Sequence, residues 1–245
     1  EAFQKPHGGQ CREDHKRRDQ HGAHHPHAQH DGQGRQDGQQ GVVPVDIQTS
    51  GAREILVKGD GKDFMIEQDA LFVWFFHYMP VGNSAVPELL PTPEQREKMY
   101  HKIREYRQTK PIFAIDFQND GEYVEGCVAG GRRYFHINAK GDAEPCVFIH
   151  YSNANVHDTS ILNILKSPIF QAYHDNQPFN ENHLRPCPML ENPEALRQMV
   201  KETGAVNTDY QDMETADHLC DKCKGYADCW TPKADELWGK SHGEK

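Results

Sequence analysis

The stretch GCVAGGRRYFHINAKGDAEPCVF, residues 126–148, decides what kind of chain this is. Thirteen residues separate Cys127 from Gly141, and four more lead to Cys146. Gly141, in AKGD, stands where YFHIN must turn into AEPCVF, and glycine tolerates the positive φ that such turns need. A hairpin at this point brings Cys146 back toward the segment that carries Cys127. Cys187 follows in RPCPML, and Cys220, Cys223 and Cys229 follow in CDKCKGYADC. Six cysteines within about a hundred residues, in pairs and triples, point to a thiolate metal site.

Spacing bears on which metal. Structural zinc takes four ligands, usually as two short C-x2–4-C knuckles. Only 220–223 is such a knuckle, and the 127–146 pair is too wide for one. Iron–sulfur clusters accept wider spacings, because four cysteines reach around a larger object. A disulfide framework suits short secreted chains, and no signal peptide is read here. Cluster ligation is the favoured reading, with structural zinc and unrelated thiols or disulfides as the alternatives.

Upstream, LFVWFFHY at 71–78 is a continuous apolar run of strand length, as buried parallel strands are. Thr92, Pro93 and Gln95 form a T-x-x-Q helix start, and Met99, Ile103 and Tyr106 recur on one face of that helix. PIFAIDF at 111–117 is the next strand, so strand, helix and strand make one βαβ unit. The loops YMPVG and DFQNDG then share the rim at the carboxyl ends of the strands, where α/β barrels carry their sites. Asp116 and Asn119 offer acceptors there; the plainer reading is that they cap the exit into a turn.

C-x13-G-x4-C followed by C-x2-C-x5-C is similar to the SPASM extension of radical SAM enzymes, and NANVHDTSILNILKSPIFQAY at 153–173 looks like the segment joining its two halves. The resemblance covers roughly residues 63–231. Thiolate clusters without disulfide context suggest a reducing cytoplasm, and the resemblance implies an α/β protein with the last strands of a radical-SAM-type (β/α) barrel at 61–125. A small cysteine-rich α+β SPASM-like extension at 126–231 would follow, with auxiliary 4Fe–4S clusters on Cys127, Cys146, Cys187, Cys220, Cys223 and Cys229. In the family a last cysteine follows the C-x2-C-x5-C group. Here none follows Cys229, and Cys187 precedes the group instead. The resemblance further implies that Met79, Pro80, Gly82, Asp116 and Asn119 face S-adenosylmethionine and substrate, a peptide or small molecule. Radical SAM enzymes hold the catalytic cluster with C-x3-C-x2-C, leaving one iron open for S-adenosylmethionine. That motif is absent from this sequence, and Cys11 is its only cysteine before Cys127. The expectation is a cluster-binding protein that does not cleave S-adenosylmethionine alone, with a protein partner completing the barrel. The alternative is a non-catalytic zinc-binding or partner-interaction module.

The net charge of −10 over 245 residues argues against a general nucleic-acid surface. The longest apolar run, ALFVWFF, is far short of the roughly 20 residues of a membrane span. Mean hydropathy is low, −0.86, and unevenly spread. Residues 4–41 hold no Val, Ile, Leu, Met, Phe, Tyr or Trp, so they have nothing to bury against their ordering entropy. A disordered arm is expected over 1–60, whose seven histidines between His7 and His30 read as a solvated face. A shifted reading frame across residues 5–60 would also give such a sequence. Towards the other end, a helical pattern at 160–173 is interrupted by Pro168, and Asn192 and Pro193 start a helix that stops near Gly204. Leu196, Met199 and Val200 form its buried side. His150, His157, His174 and His183 are expected at the surface rather than on a cluster. After Trp230 a charged, frayed tail is expected, 232–245.

Overall fold

A computed structural model describes residues 65–243, all within one unit of the chain. The arm at 1–60, its histidines and Cys11 lie outside the described residues. Strand β1, Phe72–Phe75, and strand β2, Phe113–Asp116, are joined by helix α1, Pro93–Thr109. The strands pair in parallel, with Phe72 opposite Phe113 and Phe75 opposite Asp116. The expected helix start is formed: Thr92 Oγ1 accepts the Gln95 N–H, and the Gln95 side chain accepts the Thr92 N–H. Ile103 of α1 packs with Val73, Phe75, Ile112 and Ala114 on one face of the pair. Each such burial contributes roughly 1.5–3 kcal/mol. The opposite face displays Phe72, Trp74, Phe76 and Phe113.

Among the described residues there is no closed or extended barrel, and the parallel sheet has two strands. The βαβ unit of the sequence reading is present, and among the described residues nothing beyond its two strands adds to the partial barrel implied by the resemblance. No described helix is long and apolar enough to cross a membrane.

Beyond a single turn, α2 (Gly121–Val124), the chain changes character. Strands β3, His136–Ile137, and β4, Ala143–Glu144, form the expected hairpin. Its turn closes by Gly141 N–H to Asn138 O at 2.9 Å, with Gly141 at φ +88°. Strand β5, Tyr151–Ser152, pairs with β6, Val206–Asn207, and between them lie α3 (Ile161–Ile164), α4 (Pro168–Asn176) and α5 (Pro193–Thr203). Pro168 does not interrupt one helix but opens a second, at a first-turn position that needs no N–H.

The last element, α6, runs Ala216–His242. In place of the frayed tail expected after Trp230, this helix continues for twelve residues. The reason is packing: Trp230, Ala234 and Leu237 continue its buried stripe onto Tyr100 and Leu184. Trp230 Nε1 also donates to Leu184 O at 2.9 Å.

Candidate metal centre

The hairpin does what its sequence requires. Gly130 N–H donates to Pro145 O at 2.9 Å, which holds the Cys127 loop beside Cys146. Arg132 clamps the loop's entry, donating to the carbonyls of Cys127 at 2.9 Å, Glu125 at 3.1 Å and Val124 at 2.5 Å. Cys187 arrives from the far side of α4. Cys127, Cys146 and Cys187 line one pocket of about 540 Å³, mouth included. Its other walls are mainly apolar, among them Met79, Phe117, Phe148 and Ile149.

Each sulfur meets hydrogen-bond donors. Tyr134 Oη lies 2.8 Å from Cys146 Sγ, and Leu190 N–H donates to Cys187 Sγ at 3.4 Å. Backbone N–H groups of Ala129 face Cys127, and those of Phe148 and Val147 face Cys146. Burial nonetheless pushes all three thiols up, Cys127 to about 12, and the neighbouring sulfurs push Cys127 and Cys187 further. Such thiols lose their protons when a cationic metal replaces them.

The five free cysteines among the described residues belong to one hydrophobic cluster or pack against it: Cys146, Cys220 and Cys223 within, Cys127 and Cys187 beside. Cys220 and Cys223 are fully buried, one turn apart on α6. Burial pushes them to about 11 and about 12. Cys220 faces Arg197, whereas Cys223 is within electrostatic range of Glu191. Cys229 lies on another side of α6 from the Cys220–Cys223 face. Six residues on from Cys223, at about 100° per residue, it points roughly 120° away.

Met79 lines the pocket, and its Sδ accepts from Gln118 Nε2 at 3.5 Å. Pro80 and Gly82 are buried. The Gly82 N–H donates to Glu214 Oε2 at 3.0 Å, and Gly82 O accepts Lys222 Nζ at 2.7 Å. Asp116 and Asn119 are fully buried on the helix-covered side. Asp116 accepts from Asn119 Nδ2 at 2.8 Å and from its N–H at 3.3 Å. Burial, against the Asn119 bonds, pushes the Asp116 carboxyl to about 6. His77 Nε2 stands 3.9 Å from Asp116 Oδ1, and burial, then the Arg96 charge, keeps His77 neutral.

Two residues that sequence reasoning missed organise this region. Arg96 of α1 is wholly buried and donates to Asn119, Glu191, Tyr226, Gln118 O and Leu184 O, at 2.6–3.2 Å. Glu191 accepts Arg96 Nη1 at Oε1, 2.6 Å, and the Cys187 N–H at Oε2, 2.8 Å. An arginine in the first turn of a charged helix carries no sequence signal of burial. Asn192 occupies the helix-start position expected of it, but without a capping bond. Its Nδ2 is drawn back to Arg185 O at 2.8 Å and Cys187 O at 3.1 Å.

Residues 127–189 match the family model of the SPASM iron–sulfur cluster-binding domain. This part of the chain is therefore a SPASM-type domain, and the function such a domain carries is iron–sulfur cluster binding. No curated protein and no solved structure matches the chain. The donor set fits the group: three thiols converge on one pocket, with N–H and O–H donors turned on their sulfurs.

Proposed function

We propose that this chain binds a 4Fe–4S cluster of the auxiliary type through Cys127, Cys146 and Cys187, with Cys223 as the fourth thiolate. The observation that carries the reading is the meeting of three cysteines, far apart in sequence, in one apolar pocket. Cys223 is preferred because Glu191 is a common electrostatic neighbour of Cys127, Cys187 and Cys223. When bound, the cluster supplies one-electron chemistry or an anchoring point for substrate. The chain's own residues orient the thiolates, exclude water and donate hydrogen bonds to sulfur.

Mononuclear zinc is less well supported. Only 220–223 has the short spacing of a zinc knuckle, and the 127–146 pair is too wide for one. The wider role proposed is that of the auxiliary, C-terminal part of a radical-SAM-type protein. S-adenosylmethionine cleavage is not expected from the chain by itself, because the sequence has no C-x3-C-x2-C.

Anaerobic reconstitution with iron and sulfide, then metal analysis and EPR, tests the cluster. Wild type is expected to take up iron, and Cys127→Ala/Cys146→Ala to lose it. Full retention in the double variant, or zinc in place of iron as purified, sinks the reading. Detection of 5′-deoxyadenosine after adding dithionite and S-adenosylmethionine tests the wider role, with no turnover expected.

A further inference from the structure

We infer that the buried Glu191–Arg96 ion pair positions the Cys187 loop and sets the reduction potential of the cluster held beside it, an inference that rests on the cluster-binding reading above. Glu191 is the fixed charge tied to a ligand's backbone: its Oε2 accepts the Cys187 N–H at 2.8 Å. Its own N–H and that of Asn192 return to Cys187 O at 3.2 and 3.1 Å. Burial pushes the Glu191 carboxyl up, and the Arg96 charge and the bonds that both its oxygens accept act against that, favouring a negative charge at this place. Neither side chain of the pair reaches solvent. In so dry a setting a charge acts on its neighbours with little screening.

Arg96 binds Glu191 at Oε1, the carboxylate oxygen that the Cys187 N–H does not use. Its remaining donors go to Asn119 and Gln118 O after β2, to Leu184 O and to Tyr226 of α6. The pair therefore fastens the Cys187 loop to the βαβ unit and to α6 at once. A fixed anion near a cluster disfavours adding an electron, so Glu191 lowers the potential. Arg96, bonded to the other carboxylate oxygen, acts in the opposite sense. Tyr134 also opposes Glu191, because a hydrogen bond to a ligand sulfur favours the reduced state.

The test is an EPR-monitored redox titration of reconstituted full-length protein. Glu191→Gln, nearly isosteric, is expected to raise the midpoint potential. Tyr134→Phe is expected to lower it, and Arg96→Met/Glu191→Gln to lie closer to wild type than Arg96→Met alone. Opposite signs at Glu191 and Tyr134 separate charge tuning from general loosening, which would move both the same way. Circular dichroism and iron content of each variant are read alongside. If wild type takes up no iron, the cluster reading fails and this inference falls with it. If wild type loads but Glu191→Gln leaves the potential unchanged, only this inference is overturned. It is overturned equally if Glu191→Gln and Glu191→Asp fold but take up no iron, since Glu191 is then a clamp alone.

Discussion

Arg96 lies over the indole of Trp230, 4.1 Å from the ring centroid, and solvent reaches neither side chain. The contact joins the first turn of α1 to the middle of α6, across more than a hundred residues of sequence. A buried guanidinium with its donors occupied and a face on tryptophan is well solvated by the protein itself. Its removal leaves the Glu191 carboxyl buried without its cation.

Arg96→Met is accordingly expected to destabilise the fold by roughly 3–5 kcal/mol, the range for breaking one side of a buried pair. Arg96→Lys should recover little, because an ammonium cannot fill five fork-directed bonds. Urea denaturation followed by tryptophan fluorescence reads both. A loss below about 1 kcal/mol in Arg96→Met would mean the pair contributes little net stability.

Gly141 sets a second expectation. At φ +88° a Cβ would stand 2.7 Å from Asn155 Oδ1 and 2.8 Å from His157 Cδ2. Gly204, which ends α5 at φ +62°, has nothing within 4 Å of the same position. Gly204→Ala should therefore cost only the left-handed backbone penalty, roughly 1–2 kcal/mol. Gly141→Ala should cost more and reduce iron uptake, since the turn delivers Cys146 to Cys127. Equal losses in the two variants would show that the hairpin relaxes around the new methyl.

The comparison with sequence has a physical pattern. Local signals were legible: the Thr92–Gln95 capping box, the apolar runs of β1 and β2, the turn at Gly141, and the start and stop of α5. Each depends on residues within a few positions of one another. The approach of Cys146 to Cys127 was legible for the same reason, through one hairpin. Arg96 and Glu191 were not, because their burial is created by partners 95 residues apart. The continuation of α6 was hidden by a charged composition that masks a stripe of Trp230, Ala234 and Leu237. Asp116 and Asn119 were read either as rim acceptors or as a turn cap; the Asn119 N–H bond to Asp116 is that cap, and alternation along β2 places Asp116 on the side covered by α1.

Asp116 makes a prediction about pH. Its carboxyl is raised from 3.8 to about 6 by burial, outweighing the bonds from Asn119. A raised folded-state pKa means that the folded protein holds the proton more tightly than the unfolded chain. The stabilisation is full below about pH 4 and is lost as pH rises through about 6. At 1.36 kcal/mol per unit, this amounts to roughly 3 kcal/mol. Asp116→Asn lacks the titration, so its stability relative to wild type should improve steadily between pH 4 and 6.5. A difference between the two proteins that does not vary with pH would show that Asp116 titrates normally.

The last prediction separates the cysteines of α6. Its buried stripe runs through Leu219, Cys220, Cys223, Ala227 and Trp230, so Cys220 and Cys223 face the core that holds Cys146. Arg197 engages Cys220, and around that arginine stand Glu194, Asp217 and Asp221, ion-paired to it at 2.6–3.4 Å. Cys223 instead shares Glu191 with the Cys187 loop. Cys229 points roughly 120° from Cys223 on the helical wheel. Serine is close in size to cysteine and keeps the helix, so the three variants differ mainly in the sulfur removed. After reconstitution, Cys223→Ser should lose most of its iron and its EPR signal. Cys220→Ser should retain more, and Cys229→Ser should match wild type. Iron content in Cys223→Ser equal to wild type, with Cys220→Ser depleted, would move the fourth ligand one turn back along the helix. Depletion confined to Cys229→Ser would refute the assignment of the inward face of α6 to the cluster.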